Sequence, residues 1–194
     1  MPLLKLWNSI RGRSTKGQTT DQGTATEPQA TAKAKPSNRR LGIFGGGPHA
    51  GLCKQVKSVR VNAVLEISVG DGSRALAVLE TIKKTNKDVR YVAIDQFEMA
   101  GGPITLKQFH QALRSRGFRA QLFPETMERG LSRVAHTIGS VDLVLIGAPR
   151  EAWQTPQILT LLSRVTHQDS LVLFRDEEDT WKKFATQFSQ RRAA

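Results

Sequence analysis

From about Leu41 onward, short apolar runs alternate with segments whose apolar positions recur every three or four residues. The runs VNAVLEISV (61–69), VRYVAID (89–95), FRAQLFPE (118–125), VDLVLIGAP (141–149) and SLVLFRD (170–176) read as strands. The segments between them read as helices. AGLCKQVKSVR (50–60) is a short one, and SRALAVLETIKKT (73–85) puts Leu76, Leu79 and Ile82 on one face. ITLKQFHQALRSR (104–116) is closed by Gly117, and MERGLSRVAHTIG (127–139) aligns Leu131, Val134 and Ile138. WQTPQILTLLSRV (153–165) is another helix, and TWKKFATQFSQRR (180–192) is expected as the closing one. Strands and helices in strict alternation imply a parallel sheet covered on both faces. The predicted fold is α/β and doubly wound.

No such pattern exists before residue 41. MPLLKLWNSIRGR spaces Leu3, Leu6, Trp7 and Ile10 by threes and fours among Lys5, Arg11 and Arg13, which predicts an amphipathic helix over 2–12. The stretch up to Thr20 has no acid, so a transit peptide and a frayed terminus stay open beside the membrane- or partner-binding helix. Residues 14–38 are Thr, Gln, Ala and Lys without periodicity, the composition of a disordered tether. The chain is therefore divided into a basic tail (1–40) and a folded domain (41–194).

Charge sharpens this division. The 194-residue chain carries a formal net charge of +12. Half of it belongs to residues 1–40, which hold eight Lys/Arg against Asp21 and Glu27. The tail suits RNA or an anionic membrane surface, while the body is only mildly basic. Cys53 is the only cysteine, which excludes an intrachain disulfide and a thiolate metal cluster. No apolar run has the length of a membrane span, and a cytoplasmic location is the expectation.

In a doubly wound sheet, ligands bind at the carboxyl ends of the strands. The first strand delivers Gly70-Asp71-Gly72 into a turn before a helix, where missing Cβ atoms let a ligand approach the backbone. The second strand ends at Asp95, where a carboxylate can accept hydrogen bonds from both ribose hydroxyls. Together they describe a nucleoside-bearing cofactor. GDGSRA also fits the dinucleotide fingerprint, but a dehydrogenase needs a substrate domain for which no residues remain. A P-loop is excluded, since no Gly-Lys-Ser/Thr follows either glycine cluster.

Glu66, an acid inside the first strand, discriminates further. VLEISVGDG resembles motif I of the class I S-adenosylmethionine-dependent methyltransferases, and the resemblance extends over about residues 55–176. YVAID is similar to the second motif, AQLFPETMERGL to the third-strand segment, and VDLVLIGAP to the fourth strand. The resemblance implies a Rossmann-like, mostly parallel sheet of about five strands in the order 3-2-1-4-5. It implies S-adenosylmethionine as cofactor and methyl transfer by in-line displacement to an acceptor the sequence does not identify. It also implies a cofactor-binding set. Glu66 would hold the aminopropyl end, Gly70 and Gly72 the close backbone, and Asp95 the ribose, with Thr126 and Met127 flanking adenine. Ser68, Asp71, Gln96 and Gly147 complete that set, with no metal.

The chain departs from the family pattern in three places. Ser68 stands where the motif has its first glycine. The usual C-terminal strand pair is missing, which exposes a sheet edge that a partner, a second copy or the tail would cover. The fourth strand ends in Gly147-Ala148-Pro149, without the acceptor signatures of amino-group or metal-assisted O-methylation. The alternative to an enzyme is a non-catalytic module of the same fold, tethered by its basic tail.

Further candidates have plainer readings. GGGPHAG (45–51) is a junction between tail and domain, or a lid with His49 as base. RDEED (175–179) caps the closing helix rather than binding a metal. His110, His136 and His167 are packed or surface side chains. Lys107, Arg114, Arg116 and Arg119 form a solvated helix face, or a contact to RNA or phosphate.

Overall fold

The computed structural model describes residues 47–185. A six-stranded sheet organises them in the order β3-β2-β1-β4-β5-β6. Its strands are β1 (Ala63–Ile67), β2 (Arg90–Ile94), β3 (Ala120–Phe123), β4 (Val141–Ile146), β5 (Thr166–Arg175) and β6 (Trp181–Lys183). The first five run parallel, and β6 is antiparallel to β5. The helices are α1 (Ala50–Val56), α2 (Ser73–Lys83), α3 (Leu106–Ser115), α4 (Met127–Thr137), α5 (Arg150–Trp153) and α6 (Pro156–Val165).

Side-chain alternation along the strands creates two cores. Val64, Tyr91, Ala93, Leu143 and Leu145 point to the face covered by α1, α2 and α3. Leu65, Ile67, Val92, Ile94, Val144 and Ile146 point to the face covered by α4, α5 and α6. Strands buried on both faces need continuous apolar runs, which the sequence supplies. Helix starts are set locally. Thr105 and Gln108 form a reciprocal capping box before α3. Thr155 accepts from the Ile158 N–H, and Pro156 occupies the first position of α6. That cap splits the segment read as one helix over 153–165, leaving Trp153 in α5.

The doubly wound α/β class and the order 3-2-1-4-5 hold, with one strand added. The closing helix read over 180–192 is corrected where it falls within the described residues: Trp181–Lys183 is a strand pairing with Leu173–Arg175. Its aromatic spacing explains why. Trp181 packs into the α2-side core and Phe184 into the α6-side core, opposite faces of the sheet. A strand separates positions three apart in this way, whereas a helix puts them together. RDEED accordingly closes a strand turn instead of capping a helix. The Asp176 carboxylate accepts from the Thr180 N–H and hydroxyl. Part of the edge expected to be bare is thus covered by the chain itself. The amphipathic reading of 2–12 and the tether at 14–38 lie outside the described residues, and no helix within them is long and apolar enough to cross a membrane.

Candidate functional site

Gly70, Asp71 and Gly72 make the turn between β1 and α2. Both glycines adopt left-handed φ, +68° and +79°, which a Cβ would strain. Gly72 is also held by space, since a Cβ there would meet the Phe109 ring at 2.9 Å. Ser68 at φ +61° takes the same left-handed conformation without being glycine. The serine thus occupies a conformation that favours glycine, at a cost of about 1 kcal/mol. Asp71 turns toward the helix and accepts from the Ser73 N–H at 3.0 Å and the Ser73 hydroxyl at 2.7 Å. These two bonds hold its carboxyl below the ordinary range. His49, before α1, meets the same Ser73 hydroxyl at 2.9 Å.

Asp95 ties this turn to β2. Its carboxylate accepts from the Val69 N–H at 2.6 Å and the Phe97 N–H at 2.5 Å. Each oxygen keeps a further lone pair, so acceptance from a diol remains open. Phe97 is itself strained, a buried non-glycine residue at φ +51°. Two strained residues, Ser68 and Phe97, therefore flank Asp95, and strain of this kind clusters at ligand sites. Between them opens a cavity of about 270 Å³ lined by Ser68, Asp95, Gln96, Thr126 and Met127 together with Ile67, Ile94, Ala100, Ala148 and Pro149. Half of the sequence-nominated set is thereby brought into one cleft. Thr126 and Met127 reach it because Gly130 of α4 lies directly against the Ile94 side chain. Met99, the one large apolar side chain strongly exposed among the described residues, sits beside this cleft on the turn after β2.

Glu66 has a different environment. It is fully buried, and both its oxygens are engaged. Oε1 accepts from Arg74 Nε at 2.7 Å, and Oε2 accepts from the Tyr91 hydroxyl at 2.6 Å. Burial and the Glu66 charge push the Tyr91 phenol well above its ordinary value, so it remains a proton donor to the carboxylate. Arg74 also donates from Nη2 to the Ser68 carbonyl at 2.5 Å, and its guanidinium lies 5.0 Å from the centre of the Trp181 ring. Gly147 completes this packing, because a Cβ there would run into the Ser68 carbonyl and come within 2.6 Å of Arg74 Nη2. A direct contact from Glu66 to a cofactor arm therefore requires Arg74 to move. Arg74 and Tyr91 are not among the residues that the motifs single out. The signal was an arginine eight residues after a strand acid, within the first turn of a helix.

A second cavity of about 480 Å³ adjoins the first through Ala148 and Pro149. Gly147, Arg150, Glu151, Arg175, Lys182 and the acids 176–179 line it. Lys182 pairs with Asp176 at 2.5 Å and, more than the Thr180 bonds, lowers the Asp176 pKa to about 2. A carboxylate held so low is a weak general base. Among the described residues no cluster of His, Cys, Asp or Glu is arranged to hold a metal ion. His110 and His136 are exposed on α3 and α4. His167 lies at the start of β5, 3.2 Å from Asp142 at the opposite end of the sheet from the cleft.

No protein-family model matches the chain, and no curated protein matches it. Solved structures do resemble it. The methyltransferase PaMTH1 of Podospora anserina, determined with SAH bound, matches at a TM-score of 0.51 and 16% identity, over 64% of this chain and 50% of that one. A putative protein-L-isoaspartate O-methyltransferase of Plasmodium falciparum, in complex with S-adenosyl-L-homocysteine, matches at 0.51 and 11% identity, over 70% of this chain and 68% of that one. The chain spans about half the length of the first and two thirds of the second. Its fold is that of the class I S-adenosylmethionine-dependent methyltransferases.

Proposed function

We propose that the domain binds S-adenosylmethionine and acts as a methyltransferase on an acceptor entering the cavity beside Gly147. The observation that carries this reading is the single cleft uniting Ser68, Asp95, Gln96, Thr126 and Met127 at the strand ends. Asp95 would take the ribose hydroxyls, while Thr126 and Met127 would border the base. Gly70 and Gly72 would keep the backbone close to the ligand, and Asp71 would act indirectly by fixing the turn through Ser73. When bound, the cofactor supplies an electrophilic methyl group that a nucleophile displaces from sulfur. The chain's part is to bind, align and exclude water, a task that asks no base of Asp176. The relatives' ligands named above and the fold at the strand ends support the cofactor assignment.

A second reading is favoured by one observation, the Arg74 guanidinium seated between Glu66, the Ser68 carbonyl and Gly147. In that reading the domain is a non-catalytic module whose cleft keeps its nucleoside half and has lost its arm half. Titration of the full chain with S-adenosylmethionine and with armless 5′-methylthioadenosine separates the two. A methyltransferase binds the complete cofactor more tightly, at least tenfold. A module binds the armless nucleoside as well or better, and Arg74→Ser raises its affinity for the complete cofactor. If neither compound binds at millimolar concentration, the nucleoside cleft itself is refuted.

A further inference from the structure

The end of the sheet opposite the cleft carries a second surface feature. A concavity of about 490 Å³ lies between the amino ends of β2 and β3, lined by Lys87, Asp88, Arg90, Phe118, Arg119 and Gln121 among others. The two segments that build it, 83–90 and 114–121, contain seven Lys/Arg and one acid, Asp88. Two of these cations have structural duties. Lys83 donates to the Arg116 carbonyl at 2.9 Å and lies 4.9 Å from the centre of the Phe118 ring, and Arg116 pairs with Glu80 at 3.2 Å. The other five, Lys84, Lys87, Arg90, Arg114 and Arg119, are exposed and form no ion pair among the described residues. Lys83 fastens the end of α2 to the turn after α3, so the cations are presented by a braced surface.

The cleft end has the reverse charge. Its loops carry Asp95, Glu98, Glu125, Glu151 and the acids 176–179, which outnumber Arg150, Arg175 and Lys182 beside them. A polyanion is consequently attracted to one end of the domain and repelled from the other. The basic end is concave and, among the described residues, offers no exposed large apolar side chain for insertion into a bilayer. A narrow phosphate chain fits a concavity of unpaired cations better than a flat lipid surface does.

We propose that the amino-end surface around Lys87, Arg90 and Arg119 docks the phosphate backbone of RNA, with the cleft facing away from it. The RNA is then a tether for the domain and not its methyl acceptor. This proposal is independent of what the cleft binds, since it rests on the opposite end of the sheet.

The test is fluorescence anisotropy of a labelled oligouridine with the full chain, over a series of salt concentrations, for the wild type and Lys87→Glu/Arg90→Glu/Arg119→Glu. Three lost phosphate contacts should weaken binding roughly 30-fold at moderate salt and reduce the slope of log K against log salt by about 2. An unchanged melting temperature verifies the fold of the variant. Equal affinity and slope in the two proteins would overturn the proposal and assign any RNA contact to residues 1–40. Loss of binding to phosphatidylglycerol vesicles with RNA binding unchanged would overturn it in favour of a membrane.

Discussion

Two carboxylates at the ends of neighbouring strands have opposite fates. Asp95, after β2, accepts from two backbone N–H groups and still lines an open cleft. Glu66, within β1, is fully buried and satisfied by Arg74 and Tyr91. The backbone partners of Asp95 leave lone pairs toward the cavity, whereas the side-chain partners of Glu66 fill the space a ligand would use. Two acids at one turn can therefore be one receptive and one closed, depending on which atoms satisfy each.

The sharpest way to break this contrast is to remove one member of the buried pair. Arg74→Met strands the Glu66 charge and should cost about 3–5 kcal/mol, seen as a large drop in denaturant midpoint. Replacing Glu66 with Leu in the same chain should restore only part of that loss, because the charge no longer needs a partner but the buried Tyr91 hydroxyl loses its acceptor. Recovery in the double variant separates a buried ion pair from simple packing. Gly147→Ala should cost about 2 kcal/mol by pushing the Ser68 carbonyl and Arg74 apart, readable in the same unfolding experiment.

Smaller effects probe acids held as Asp95 is. Asp142, at the amino end of β4, accepts from the Asn62 and Ala63 N–H groups beside it at the start of β1, at 2.8 Å each. Burial opposes its ionisation, but those donors and His167 outweigh it and lower its pKa below the ordinary 3.8. A depressed carboxylate stabilises the fold above its unfolded pKa, and that contribution is lost as pH falls through the folded one. Melting temperature should therefore decline below about pH 4, and Asp142→Asn should flatten that acid limb. At the smallest scale, Ser68→Gly relieves the left-handed serine and should stabilise by less than about 1 kcal/mol, offset in part by unfolded-state entropy. A shift of a few degrees in melting temperature is the expected upper bound.

Much of the fold was legible because buried parallel strands leave an unmistakable apolar run. The strand-end cleft was legible for a related reason. Ser68, Asp95 and Thr126 follow neighbouring strands, where topology alone brings them together. The surroundings of Glu66 were not. Nothing in the spacing of Glu66 says whether its partner is a ligand or Arg74, since that depends on a long side chain folding back over the turn. The last strand was misread as a helix because Trp181 and Phe184 are three apart, which suits one helical face or two sheet faces equally. Only packing against both cores decides between them.

The central claim, that Asp95 marks a nucleoside site, is tested most directly by calorimetric titration of the full chain with S-adenosylmethionine. The same titration is run on Asp95→Asn, with the fold of the variant verified by circular dichroism. The wild type should bind, and the variant should bind at least tenfold more weakly. Equal affinity in the two proteins, or no binding by the wild type at millimolar cofactor, would contradict it.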